Sequence, residues 1–137
     1  MLNEFTRRSI VGLVYLLTLG LHAAFAIAAE EPAGSELKLV RDGRAHAVIL
    51  VAPDAPAPVA HAANELRHFI ERITAVKPAL VNQPSGDQVN LAIGPEAARM
   101  LDASFTLEGL QPDGIALQAV GERGIILAGP APRGTLY

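Results

Sequence analysis

The sequence predicts an α+β fold, a mixed β-sheet with helices packed on it, in the order β-β-α-β-α-β-β. Three observations predict it. Ala47-Val48-Ile49-Leu50-Val51-Ala52 is an unbroken apolar run of strand length, as a strand covered on both faces requires. Apolar residues then recur with helical spacing before the next strand-like segment. Near the end, two short apolar runs flank Gly121-Glu122-Arg123-Gly124, the pattern of an antiparallel hairpin.

Residues 29–36 contain Pro, Gly and Ser without apolar periodicity and read as a flexible lead-in. The domain proper, 37–137, opens with a predicted strand, Leu37-Lys38-Leu39-Val40. It runs into Arg41-Asp42-Gly43-Arg44, whose Asp-Gly pair favours a tight turn, and residues 47–52 form the next strand. Pro53, Pro56 and Pro58 punctuate the following loop. Asp54 is available as a helix cap, and Pro58 suits a first helical turn, where its missing N–H costs nothing.

Val59, Ala62, Ala63, Leu66, Ile70 and Ile73 make one helical stripe, widened by Phe69, with Asn64, Arg67, His68, Glu71 and Arg72 opposite. Glu71 lies four residues after Arg67, an ion-pair spacing worth about 0.3 kcal/mol. The helix is expected to stop near Thr74-Ala75, ahead of Pro78. Pro84-Ser85-Gly86-Asp87 reads as a loop and Val89-Asn90-Leu91-Ala92-Ile93-Gly94 as a strand. Pro95-Glu96 opens a short helix to Leu101, and Pro112-Asp113-Gly114 turns into the closing hairpin. Arg133-Gly134-Thr135-Leu136-Tyr137 reads as the first turn of a further helix, so the chain is expected to be a fragment truncated there. Such a sheet would leave Ile115, Leu117, Ile125 and Leu127 facing water on one side.

Residues 1–28 read as an export signal. Arg7 and Arg8 precede an uncharged apolar run from Ser9 to Leu21, and Ala26-Ile27-Ala28 is a small-residue cleavage site. The alternative is a membrane anchor, because residues 9–29 hold no charged side chain and ~20 residues span a bilayer. His22 and the alanine-rich second half speak against it. Thr6-Arg7-Arg8-Ser9-Ile10-Val11 also resembles a twin-arginine signal, which leaves the export route open. The mature chain is thus expected to be periplasmic or secreted, with membrane contact only if the signal is uncleaved.

Cleavage leaves 109 residues, one domain with one core. Nine basic against thirteen acidic residues give a net charge of −4, and Lys38 and Lys77 are the only lysines, so nucleic acid is not an expected partner. With no cysteine there is neither a disulfide nor a thiolate metal site, and packing alone must hold the fold.

Three segments together resemble a known domain. They are Ala63-Asn64-Glu65-Leu66-Arg67 with Ile73-Thr74, Leu91-Ala92-Ile93-Gly94, and Asp113-Gly114-Ile115 running on to Gly129-x-x-x-Arg133-Gly134-Thr135-Leu136-Tyr137. Their order and spacing are similar to the α+β domain that precedes the catalytic barrel in α-glucuronidases and β-N-acetylhexosaminidases. The resemblance covers residues 37–137. It implies a parent glycoside hydrolase with paired carboxylates in a downstream (β/α)₈ barrel, acting on a glycan. No barrel segment is present in this sequence, so no catalytic residue carries over and this stretch alone is expected to be inactive. One departure is visible: the family usually has Gly after the helix-ending Ile-Thr, and Ala75 stands there instead, implying a different or a strained helix exit.

The residues offer few other candidates. His61, Glu65 and His68 are spaced for one helix flank and could converge on a cation, but the zincin His-Glu-x-x-His pattern is absent, and a solvated flank is the reading adopted. Arg67 and Arg133 are candidate contacts to a following domain. Each has a plain structural alternative, Arg67 facing solvent and Arg133 satisfying strand-end carbonyls. Gly129 and Gly134 fit no phosphate loop, and no cofactor or metal is expected. Ser85, Ser104, His46 and Asp54 supply the residue types of a hydrolase triad without a Gly-x-Ser-x-Gly elbow. The expected function is therefore a non-catalytic accessory domain of an exported glycan-degrading hydrolase. A stand-alone extracytoplasmic binding or scaffold domain is the alternative.

Overall fold

The structure, a computed structural model, describes residues 36–131 and 134–135. The export segment 1–28, the lead-in through Ser35, and Arg133, Leu136 and Tyr137 lie outside the described residues.

The described chain is α+β, a five-stranded mixed sheet with one helix on each face. A small antiparallel ribbon, β1 (Val40–Arg41) and β2 (Arg44–Ala45), precedes the sheet. The sheet strands are β3 (Ala47–Val51), β4 (Ala79–Val81), β5 (Val89–Ile93), β6 (Ala116–Val120) and β7 (Gly124–Ala128), in the order β4-β3-β5-β7-β6. The first four in that order run parallel, and β6 is an antiparallel edge on β7. Helix α1 (Ala57–Thr74) joins β3 to β4, and α2 (Pro95–Leu101) follows β5.

Strand alternation divides the core in two. Ala47 and Ile49 of β3 and Val89, Leu91 and Ile93 of β5 meet Val59, Ala63 and Ile70 of α1. On the other face, Leu50, Ala92, Ile126 and Ala128 meet Ala97 and Ala98 of α2, with Phe105 beside them. The small alanines let the short α2 lie close to its strands. None of the described helices is long and apolar enough to cross a membrane.

Several local expectations need correction. The first predicted strand does not join the main sheet. Asp42 and Gly43 both have positive φ, at 51° and 69°, and this turn folds the segment back on residues 44–46, with Val40 opposite Ala45 and His46 N–H on the Leu39 carbonyl. Strand β4 went unread because it is three residues long and follows a proline. Asp54 does not cap α1, whose N-cap is Pro56, with no side-chain hydrogen bond there. Arg67 is half-buried and donates from Nη2 to Asn64 Oδ1 at 2.8 Å, while Glu71 pairs instead with Lys77 at 3.1 Å, beyond the helix exit. Ile73 is 80% exposed, because the stripe outruns the sheet by its last turn.

The exit of α1 resolves the question posed by Ala75. It sits in the left-handed region, φ 59° and ψ 14°, with its N–H on the Glu71 carbonyl at 2.8 Å. The chain makes the glycine-type exit with a residue that carries a Cβ, at a strain of about 1 kcal/mol. Ala75→Gly relieves that strain, offset in part by the extra entropy of an unfolded glycine. The expected net gain is about 0.5 kcal/mol, a Tm rise of roughly 2–4 °C by calorimetry; an unchanged or lower Tm would show that the exit is unstrained.

The connection from β4 to β5 has no helix. Residues 82–88 cross β3 on the α2 side, and the buried side chain of Asn90 in β5 ties them down. Its Oδ1 accepts from Ser85 N–H at 2.7 Å, and its Nδ2 donates to Ser85 O at 2.9 Å and Gln88 O at 3.2 Å. No buried side-chain polar atom among the described residues is left without a partner.

Candidate functional site

Helix α1 packs over β3, β4 and β5, and Ile125 and Leu127 of β7 border the core beneath it. A groove of about 300 Å³ therefore opens between α1 and β7. Phe69 forms one wall and is 51% exposed; Leu127 lies on the sheet side. Outside it the same sheet face continues over β6, where Leu117 is 73% exposed and Ile115, at the strand's entry, 51%. The face expected to meet water does so at Ile115 and Leu117, whereas Ile125 and Leu127 are half-buried.

The three segments set apart in the sequence all contribute to this groove. Glu65 and Leu66 come from the first, Ile93 from the second, and Ile115 and Thr135 from the third. Their glycines explain how the chain closes there. A Cβ on Gly129 would lie 2.6 Å from the Gly134 carbonyl carbon, so only a glycine at 129 lets these backbones touch. The Thr135 hydroxyl then accepts from Gly129 N–H at 3.0 Å. Gly134 in turn lies against the loop of Gly114, whose carbonyl oxygen a Cβ on Gly134 would approach to 3.2 Å. Compared with known proteins, the chain matches no family model and no curated relative.

The groove lining is apolar apart from Glu65 and Thr135, a surface suited to docking rather than to acid–base chemistry, which needs a positioned pair of titratable groups. Two other openings fall short of the same requirement. At the C-terminal ends of β3 and β4, where open parallel sheets commonly bind ligands, a shallow opening of about 580 Å³ offers the amides of Asn82 and Gln83 and no titratable side chain. At the opposite ends of β3 and β5, an opening of about 490 Å³ is lined by Arg41, His46, Asp87, Glu122 and Arg123 among others, all exposed and mixed in sign. Asp87 accepts from the Ser85 hydroxyl at 2.6 Å, and that bond, with its own backbone N–H and Arg123, holds its carboxyl below the usual range. It is an ionised structural carboxylate, unfit as a general acid at neutral pH.

The triad residue types do not assemble. His46 precedes β3 and Asp54 follows it, a separation of about 17 Å along the five-residue strand. The Ser85 hydroxyl is engaged by Asp87, and that of Ser104 donates to Asp102 at 2.6 Å, so neither serine has a histidine to activate it. His61, Glu65 and His68 are exposed along α1, and no group of three metal-ligating side chains occurs among the described residues. Asn90, the side chain that organises the loop beside α2, was missed, although a lone amide inside a buried apolar run was the available signal.

Proposed function

We propose that this chain is a non-catalytic accessory domain of an exported glycan-degrading hydrolase, and that the groove between α1 and β7 seats on another part of the parent protein. The observation that carries this reading is the convergence of all three family-like segments on one apolar groove, away from the charged opening. Residues shared for catalysis would bring carboxylates together. These bring together Leu66, Ile93, Ile115 and the Gly129–Gly134 contact instead. The partners are then the downstream barrel of the same parent and, through it, a glycan.

Two measurements test the reading. The reading frame past the Tyr137 codon is expected to continue for about 250 codons or more with the strand–helix alternation of a barrel. A stop codon there would overturn the accessory role and leave a stand-alone binding or scaffold domain. The purified chain is expected to release no product from aryl glucuronides, aryl N-acetylglucosaminides or glucuronoxylan; turnover that survives repurification would overturn the non-catalytic assignment.

A further inference from the structure

The two edges of the sheet are unlike. Strand β4 is three residues long and is entered through the buried Pro78, features that blunt an edge against further pairing. Strand β6 has five residues, Ala116-Leu117-Gln118-Ala119-Val120, and pairs one-to-one with β7 without a bulge. It holds no charged residue and no proline, and Leu117, Gln118 and Ala119 are exposed. Among the described residues its outer backbone N–H and C=O groups form an open row, and none of the usual guards stands on it.

We propose that β6 pairs with β6 of a second copy of this chain, antiparallel about a two-fold axis at Gln118, joining the two sheets into one. A two-fold contact must be self-complementary, because each residue meets its counterpart through the same operation. Centred on Gln118, the strand meets that demand, and it is the register in which all five positions find a partner. Ala116 opposes Val120, Leu117 opposes Ala119 and Gln118 opposes itself, so small residues face larger ones and no like charges meet. The amide of Gln118 is both donor and acceptor and can bond its symmetry mate.

The side chains agree with the backbone. Leu117 and Ala119 oppose Leu127 and Ile125 in the β6–β7 register, on the side that α1 leaves bare. Pairing places the two exposed Leu117 side chains and the Ala119 beside each on one face of the joined sheet. That covers part of the apolar surface left by the fold. The proposal uses the strand edge rather than the groove, so it stands or falls apart from the accessory-domain reading.

The test is sedimentation equilibrium of the purified chain over a wide concentration range. A reversible monomer–dimer equilibrium is expected, without higher species, because the dimer uses up the open edge. Leu117→Lys and Ala119→Glu, both at exposed positions that leave the fold intact, are each expected to raise the dissociation constant about tenfold. Mixed in equal amounts, the two variants should associate with each other more tightly than either does alone, since the new lysine then faces the new glutamate. Amide exchange in β6 should slow as concentration rises. A chain that stays monomeric throughout overturns the proposal, as does a dimer that both substitutions leave unchanged or a mixture no tighter than its components.

Discussion

Gly94→Ala is expected to destabilise the domain by about 3 kcal/mol, lowering Tm by roughly 12–24 °C. Gly94 is where β5 ends and α2 begins. Its φ of 89° and ψ of 164° lie in a region that residues with a Cβ all but never enter. There is no room either: an added Cβ would sit 2.8 Å from Val59 Cγ1, which packs on the strand end from α1. The backbone cannot relax away, because Gly94 N–H donates to Leu127 O at 2.9 Å and its carbonyl accepts Ala98 N–H at 3.0 Å. Two causes therefore act at one position, and a double-mutant cycle separates them. Val59→Ala removes the clashing methyl groups but not the dihedral strain. The double variant should lose about 1 kcal/mol less than the sum of the singles. A Gly94→Ala protein within about 0.5 kcal/mol of the parent would mean that the turn is free to change its path.

The contrast between Gly94 and Ala75 shows what the sequence could and could not disclose. Both occupy backbone positions that favour glycine, and the sequence marks Gly94 directly, as a Gly-Pro pair closing an apolar run. At Ala75 the residue type argues against the conformation that the chain adopts, and only the family resemblance pointed to a left-handed exit. Long, strongly periodic elements were legible for a related reason. In α1, burial on a fixed side leaves a helical period in the residue types, while β3 and β5, covered on both faces, show as unbroken apolar runs. Strand β4 left no such trace, since three residues hold barely one alternation and its pairing with β3 is decided by the chain around it. The groove was legible only as separate fragments. Glu65, Ile93, Ile115 and Thr135 are far apart in sequence, and what unites them is the sheet order β5-β7-β6, which no local pattern encodes. The uncovered face was legible in outline, because the hairpin carries apolar residues on the face that α1 does not reach, and Leu117 there is exposed.

Asn90→Ala is expected to cost about 3 kcal/mol, and the loss should be concentrated in one part of the molecule. Asn90 is 5% exposed and holds the crossing loop through three hydrogen bonds, one accepted from Ser85 N–H and two donated to Ser85 O and Gln88 O. Each bond is worth only about 1 kcal/mol net, but alanine leaves part-buried backbone groups without partners, and that penalty adds to the loss. The loop is the sole link from β4 into β5, so freeing it removes the restraint on the edge strand β4 while β3, β5 and β7 stay paired. Amide exchange should therefore accelerate in residues 79–88 well before it does in β5. Asn90→Asp tests the direction of the bonds. A carboxylate keeps the acceptor for Ser85 N–H but points its other oxygen at two carbonyls, so its pKa in the fold is raised above its unfolded value. The sign then follows: at pH values below the unfolded pKa the protonated acid donates as the amide did, and that stability is lost as pH rises through the folded pKa. Relative to the parent, Asn90→Asp should be least damaging near pH 4 and progressively worse toward pH 7, in urea melts at each pH. A penalty that does not change with pH would mean that the amide nitrogen does not face those carbonyls, and uniform acceleration of exchange in Asn90→Ala would mean that the loop is not a separate unit.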